Sequence, residues 1–168
     1  MGEIQRMCEL RIPYPPPKAE KKNILYASLL TNDYAGIISE MSAVSVYTYQ
    51  HIATPYGRIS EVLRCISAVE MRHMKMLGSL IVSLGGNPRI AVKLGRGYNY
   101  WSSQCISYET NPRIYLREDL ACERAAITSY KLRITQIDDN AVRKVLERII
   151  LDEERHVELL TALCNEFL

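Results

Sequence analysis

The sequence predicts an all-α protein, a four-helix bundle with one long crossover between its second and third helices. Three observations carry the prediction. An internal repeat relates the two halves at one constant offset, start and stop signals divide the chain into four long helical segments, and a long stretch rich in Gly, Tyr and Asn, Gly85 to Asn111, separates the second from the third. At 168 residues, 48% hydrophobic and with a net charge of +2, the chain is long enough to bury a core around such a bundle.

The elements follow in order. Residues 1–22 form an arm that contains Pro13-Tyr14-Pro15-Pro16-Pro17, a composition that forces extended, largely polyproline II backbone. Residues 23–168 form the bundle. Its first helical region runs from about Ile24 or Asn32 to Ala53 and is stopped by Pro55 and Gly57. The second runs from about Arg58 to Leu84, closed by Gly85-Gly86 with Pro88 beyond. Asn111 as N-cap and Pro112 at the first helical position open the third, which reaches about Ile137. Asp138-Asp139-Asn140 makes the turn, and the fourth helix continues to about Glu166. If helices two and three run parallel, the chain between them must travel back about 38 Å, which takes at least about 11 extended residues. The segment from Gly85 to Asn111 is long enough to do so.

The repeat carries chemistry. A lone Glu40 precedes Glu70-Met71-Arg72-His73, and at the same spacing a lone Glu123 precedes Glu153-Glu154-Arg155-His156. The offset that carries Glu40 onto Glu123 also relates Ala43 to Ala126, Tyr47 to Tyr130, Leu63 to Leu146 and Ile66 to Ile149. A Glu and a His three positions apart share one helix face, so each pair can grip one metal. The acids lie on apolar stripes: Glu40 among Gly36, Ile37, Ala43 and Val44, and Glu153 among Ile149, Ile150, Val157 and Leu160. Four carboxylates driven into a core cost several kcal/mol each unless something pairs them. Two divalent cations balance Glu40, Glu70, Glu123 and Glu153, with both imidazoles neutral. Core salt bridges to Arg72 and Arg155 are the weaker alternative, because an Arg two positions after a Glu points to another side of the helix. His51 lies about three turns, or roughly 16 Å, from Glu40 and is not counted as a ligand.

Several classes are excluded or disfavoured. There is no run of 18 apolar residues for a membrane span, and Met1-Gly2-Glu3-Ile4 lacks the layout of a signal peptide, so a cytoplasmic setting is expected. Basic residues are spread without the stripe that nucleic-acid binding requires. Cys8, Cys65, Cys105, Cys122 and Cys164 are odd in number and form no Cys-x-x-Cys pair, which argues against a disulfide framework, a rubredoxin-type iron site or a structural zinc. Most of them read as small core residues; Cys122 adjoins Glu123, but its helix position favours packing.

The doubled Glu and Glu-x-x-His pattern resembles that of the ferritin-like dimetal carboxylate superfamily, which includes bacterioferritins, rubrerythrins and manganese catalases, over about residues 30 to 165. The resemblance implies that Glu70 and Glu153 bridge two metals, Glu40 and Glu123 are terminal carboxylates, and His73 and His156 each cap one metal. The dimetal centre itself is then the catalytic group. Tyr47 and Tyr130 look like the tyrosines that hydrogen-bond to the carboxylates in rubrerythrin-like proteins; core packing with the hydroxyl reaching any acceptor is the alternative. Departures narrow the likeness. The iron domain of rubrerythrins is absent, their additional Glu is replaced here by Ala126, none of the six Met residues is assigned to a haem, and the C-terminal extension of manganese catalases is missing. The chain looks most like the small spore-coat-type proteins related to manganese catalases, which implies a spore association.

Imidazole and carboxylate suit manganese and iron alike. Without an electron-transfer domain, the expected activity is a self-contained cycle on hydrogen peroxide, manganese-catalase-like or peroxidase-like. The alternatives are a ferroxidase or iron-storage subunit that takes Fe(II) and oxygen, and a structural coat or shell protein with a vestigial site. A homo-oligomer, at minimum a two-fold dimer, is also expected: the proline-rich arm must be tied down, and docking Tyr14 into a neighbour's groove would do so. Tyr98, Tyr100, Trp101 and Tyr108 suit either a subunit contact or a lid over the bundle.

Overall fold

The computed structural model describes residues 7–167, so the first six residues of the arm, including Met1 to Ile4, lie outside the described residues. The described elements are α1 (Ile24–Ala35), α2 (Glu40–Ala53), α3 (Gly57–Ser83), β1 (Ala91–Leu94), β2 (Gly97–Tyr100), a 3-10 turn at Ser103–Cys105, α4 (Pro112–Gln136) and α5 (Asn140–Phe167). Helices α2 and α3 pack along each other across a short link, as do α4 and α5, and α3 meets α5 between the two pairs. This is the four-helix bundle with one long crossover that the repeat and the helix signals predict, and the helix ends fall within a residue or two of their expected places.

The first helical region departs from expectation in one respect. It is broken at residues 36–39. A Cβ at Gly36 would sit 2.5 Å from the Asn32 carbonyl oxygen, so only glycine fits where the backbone turns away. The Ser39 and Ser42 hydroxyls donate to the Gly36 carbonyl at 2.8 and 3.1 Å, and the Ser39 side chain accepts from Ser42 N as the N-cap of α2. The break makes Glu40 the first residue of a new helix, at the end whose dipole favours an anion.

On α3 the fully buried Ile59, Leu63, Ile66, Leu77 and Leu80 recur at helical spacing, and Glu70 and His73 interrupt that stripe midway. Helix α5 repeats the arrangement with Leu146, Ile149 and Leu160 around Glu153 and His156. Two apolar cores result. One gathers Leu30, Leu77, Leu80, Ile137, Val145 and Ile149, the other Tyr47, Leu63, Ile66, Leu116, Leu160 and Leu163, and the acids and histidines lie between them.

The crossover contains a hairpin that the helical reading does not anticipate. Strands β1 and β2 pair antiparallel, Ala91 opposite Tyr100 and Leu94 opposite Gly97, around a turn in which Gly95 takes φ +53. The hairpin sits on α1, with Lys93 N donating to Thr31 Oγ1 at 2.9 Å, and just beyond it Trp101 Nε1 donates to Ser42 Oγ at 2.9 Å. Trp101 therefore packs on its own bundle, at the helix break.

The arm is also held by its own bundle, where the sequence reading invokes a neighbouring chain. Leu10 N donates to Asp152 Oδ1 at 2.9 Å, Arg148 donates to the carbonyls of Ile12 and Leu10 at 2.9 and 2.8 Å, and Arg155 donates to that of Met7 at 3.0 Å. Further along, Ala19 N reaches Ser83 Oγ and Glu20 N reaches Asp139 Oδ2. Extended backbone has no internal partners, and polar groups of α3, α5 and the turn before α5 supply them. The cysteine reading needs correction as well: Cys8 and Cys65 are disulfide-bonded, with Cα atoms 6.0 Å apart. This bridge ties the arm to α3 across a sequence separation of 57, a pairing that no local spacing signals. Cys105, Cys122 and Cys164 are free thiols.

Candidate metal centre

The six residues singled out by the repeat converge in the middle of the bundle. Glu40 comes from the start of α2, Glu70 and His73 from α3, Glu123 from α4, and Glu153 and His156 from α5, and all six are buried. His73 Nδ1 lies 3.7 Å from Glu40 Oε2, 3.3 Å from Glu70 Oε2 and 3.0 Å from Glu153 Oε1. His156 Nδ1 lies 3.6 Å from Glu123 Oε2, 2.8 Å from Glu70 Oε1 and 3.2 Å from Glu153 Oε2. Two interpenetrating quartets result, Glu40, Glu70, His73 and Glu153 in one and Glu70, Glu123, Glu153 and His156 in the other, each with donor atoms within 4.8 Å of one another. Glu70 and Glu153 belong to both.

The donor set fits a pair of divalent cations. Among the described residues, Glu40 Oε2 is a buried carboxylate oxygen without a hydrogen-bond partner, which a cation would satisfy. The electrostatics agree. Burial, reinforced by the charge of Glu70, holds the Glu40 carboxyl well above the usual range, and burial with Glu153 and Glu70 does the same to Glu123. Burial alone would make His73 and His156 less basic, but the facing Glu40 and Glu70 carboxylates raise both well above an ordinary imidazole. So many acids and bases in a dry core share protons among themselves, and two cations take the place of those protons.

The tyrosines cross between the halves. Tyr47 donates to Glu123 Oε1 and Tyr130 donates to Glu40 Oε1, so each hydroxyl holds the lone glutamate of the opposite half. Burial and the facing carboxylate push both phenols well up, which keeps them protonated as donors. Neither Arg72 nor Arg155 enters the core. Arg72 pairs with Glu9, and Arg155 pairs with Glu158 at 2.7 Å. His51 lies outside both quartets.

A cavity of about 90 Å³ leads from the surface to the carboxylates, lined by Ile37, Ile38, Ala43, Cys122 and Ala126 and ending on Glu40, Glu70, Glu123 and Glu153. It is wide enough for a few water-sized molecules. Asp119 and Gln50 stand beside it, with Gln50 Nε2 donating to Asp119 Oδ1 at 3.0 Å.

The family model for rubrerythrin matches residues 34–164, a span that includes all six residues. The chain belongs to the rubrerythrin family. This rubrerythrin-family chain is 22% identical over 167 residues to a probable manganese catalase of Clostridium acetobutylicum, covering 89% of this chain and 74% of the relative. Among solved structures it is similar to KatB, a manganese catalase from Anabaena PCC7120, with a TM-score of 0.79 and 20% identity over 94% of this chain and 75% of KatB. It is likewise similar to the Mycobacterium tuberculosis bacterioferritin BfrA, with a TM-score of 0.71 and 22% identity over 87% of both chains.

Sequence reasoning missed Asp152. It is fully buried, and its Oδ2 lies 3.2 Å from His73 Nε2 and 2.7 Å from Arg148 Nη1 while also accepting from the Tyr14 hydroxyl. Burial opposes its charge, but hydrogen bonds from His73, Arg148 and Tyr14 prevail and hold its carboxyl down at about 2. The available signal was an acid immediately before Glu153 and one helical turn after Arg148.

Proposed function

We propose that this chain is a dimetal oxidoreductase that disproportionates hydrogen peroxide in the manner of a manganese catalase. The reading rests chiefly on the two quartets that share Glu70 and Glu153, both of which line a cavity of about 90 Å³. Glu40, Glu70, His73 and Glu153 would hold one divalent ion, and Glu70, Glu123, Glu153 and His156 the other. When bound, a pair of manganese or iron ions supplies two-electron redox chemistry. The chain's residues do the rest. Tyr47 and Tyr130 fix the two outer carboxylates, the apolar cores on either side keep bulk water away, and the cavity admits a molecule the size of a peroxide. The likeness to two manganese catalases supports the substrate.

The test is oxygen release from peroxide by the manganese-loaded chain with no added reductant, one oxygen for every two peroxides consumed. A second reading, a ferroxidase or iron-storage subunit, draws support from the likeness to a bacterioferritin along most of both chains. Rapid Fe(II) oxidation with many irons retained per chain, and no oxygen release from peroxide, would favour it.

A further inference from the structure

The two halves of the centre are not equivalent, and the difference lies in what stands behind each histidine. His73 turns Nδ1 to the carboxylates and Nε2 to Asp152 Oδ2 at 3.2 Å. Asp152 is itself anchored from three sides: Leu10 N at 2.9 Å, Arg148 Nη1 at 2.7 Å, and the Tyr14 hydroxyl. The Arg148 guanidinium lies 4.0 Å over the Tyr14 ring, closing the cluster. His156 is placed alike, with Nδ1 toward the carboxylates, but its Nε2 is buried without a hydrogen-bond partner among the described residues. Asp152 immediately precedes Glu153, and its counterpart in the first half, immediately before Glu70, is the fully buried Val69.

A carboxylate on the far nitrogen of a ligating histidine fixes its tautomer and ring orientation and makes it a better donor; removing such a partner typically weakens metal binding by roughly 10–100-fold. We infer that Asp152, set by Tyr14 and Arg148, is a positioning residue that makes the Glu40, Glu70, His73, Glu153 quartet the tighter metal position. The Glu70, Glu123, Glu153, His156 quartet then fills second and exchanges more readily. The N-terminal arm, which sequence alone assigns to a neighbouring chain, is on this account a working part of its own metal centre. The inference rests on the dimetal reading proposed above.

The experiment is a titration of the metal-free full-length chain with Mn(II), followed calorimetrically, with bound metal counted at each step and the first ion located by anomalous diffraction at one Mn(II) per chain. The wild-type chain should bind two ions in separate steps, the first on the His73 side. Asp152→Asn should weaken that step by roughly 10–100-fold and leave the other unchanged. Tyr14→Phe should shift the same step in the same direction by less, and it decides the matter should Asp152→Asn not fold. Equal steps in the wild type, a first ion on the His156 side, or a Tyr14→Phe titration identical to wild type would each overturn the inference while leaving the dimetal reading intact. A wild-type chain that binds no Mn(II) would instead contradict the dimetal reading itself.

Discussion

Tyr130 donates its hydroxyl hydrogen to Glu40, 90 positions earlier in the chain, and so fastens the start of α2 to the C-terminal third of α4 at the edge of the candidate metal centre. Tyr47 makes the reciprocal bond to Glu123. Each half of the repeat thus completes the carboxylate environment of the other, and the two halves cannot separate without leaving a buried acid unpartnered. Tyr47→Phe and Tyr130→Phe should each lower the stability of the metal-free chain by about 0.5–1.5 kcal/mol, the net worth of a hydrogen bond to a carboxyl that burial keeps protonated. Urea unfolding measures this, and unchanged midpoints in both variants would show that the hydroxyls contribute nothing.

Glu70→Ala removes one of the two carboxylates common to both quartets. The variant should keep its helices by circular dichroism yet bind fewer than two ions per chain. Two full equivalents retained would contradict the assignment of Glu70.

Stripping the metals should lower the melting temperature, because ions that bind only the folded chain stabilise it by mass action. Mass action sets the scale: at a free metal concentration of about 100 times Kd, binding contributes about 2.7 kcal/mol. A chelator that removes the metal and leaves the melting point unchanged would contradict burial of the ions.

Asp119 gives a pH prediction. Burial pushes its carboxyl up from 3.8 to about 8, against a hydrogen bond from Gln50 that pulls it down. Between those values the folded chain holds a proton that the unfolded chain has released, so this group's contribution to stability falls as pH rises, by up to about 1.4 kcal/mol per pH unit. Asp119→Asn removes that dependence. Across the same window the variant should gain stability relative to wild type as pH rises, and parallel stability curves would refute the shift.

The legible part of this molecule is the part governed by short-range rules. The internal repeat, the Gly85-Gly86 stop and the Asn111-Pro112 start place the helices and the six acids and histidines, because helical spacing alone puts Glu70 beside His73 and Glu153 beside His156. What was illegible depends on contacts between distant segments. The bond from Cys8 to Cys65, the clamp of Tyr14 on Asp152 and the crossing of Tyr47 to Glu123 join positions 57, 138 and 76 apart, and no periodicity encodes them. The break at Gly36 is local, set where a Cβ would meet the Asn32 carbonyl oxygen, and the sequence reading did not anticipate it.

The central claim is that these six residues hold two metals, and metal analysis of the chain purified from its native source tests it most directly. The account predicts close to two manganese or iron ions per chain, lost when Glu70 and Glu153 are both replaced by Ala. A folded wild-type chain that carries no such ions, and takes up none when Mn(II) or Fe(II) is supplied, would contradict it.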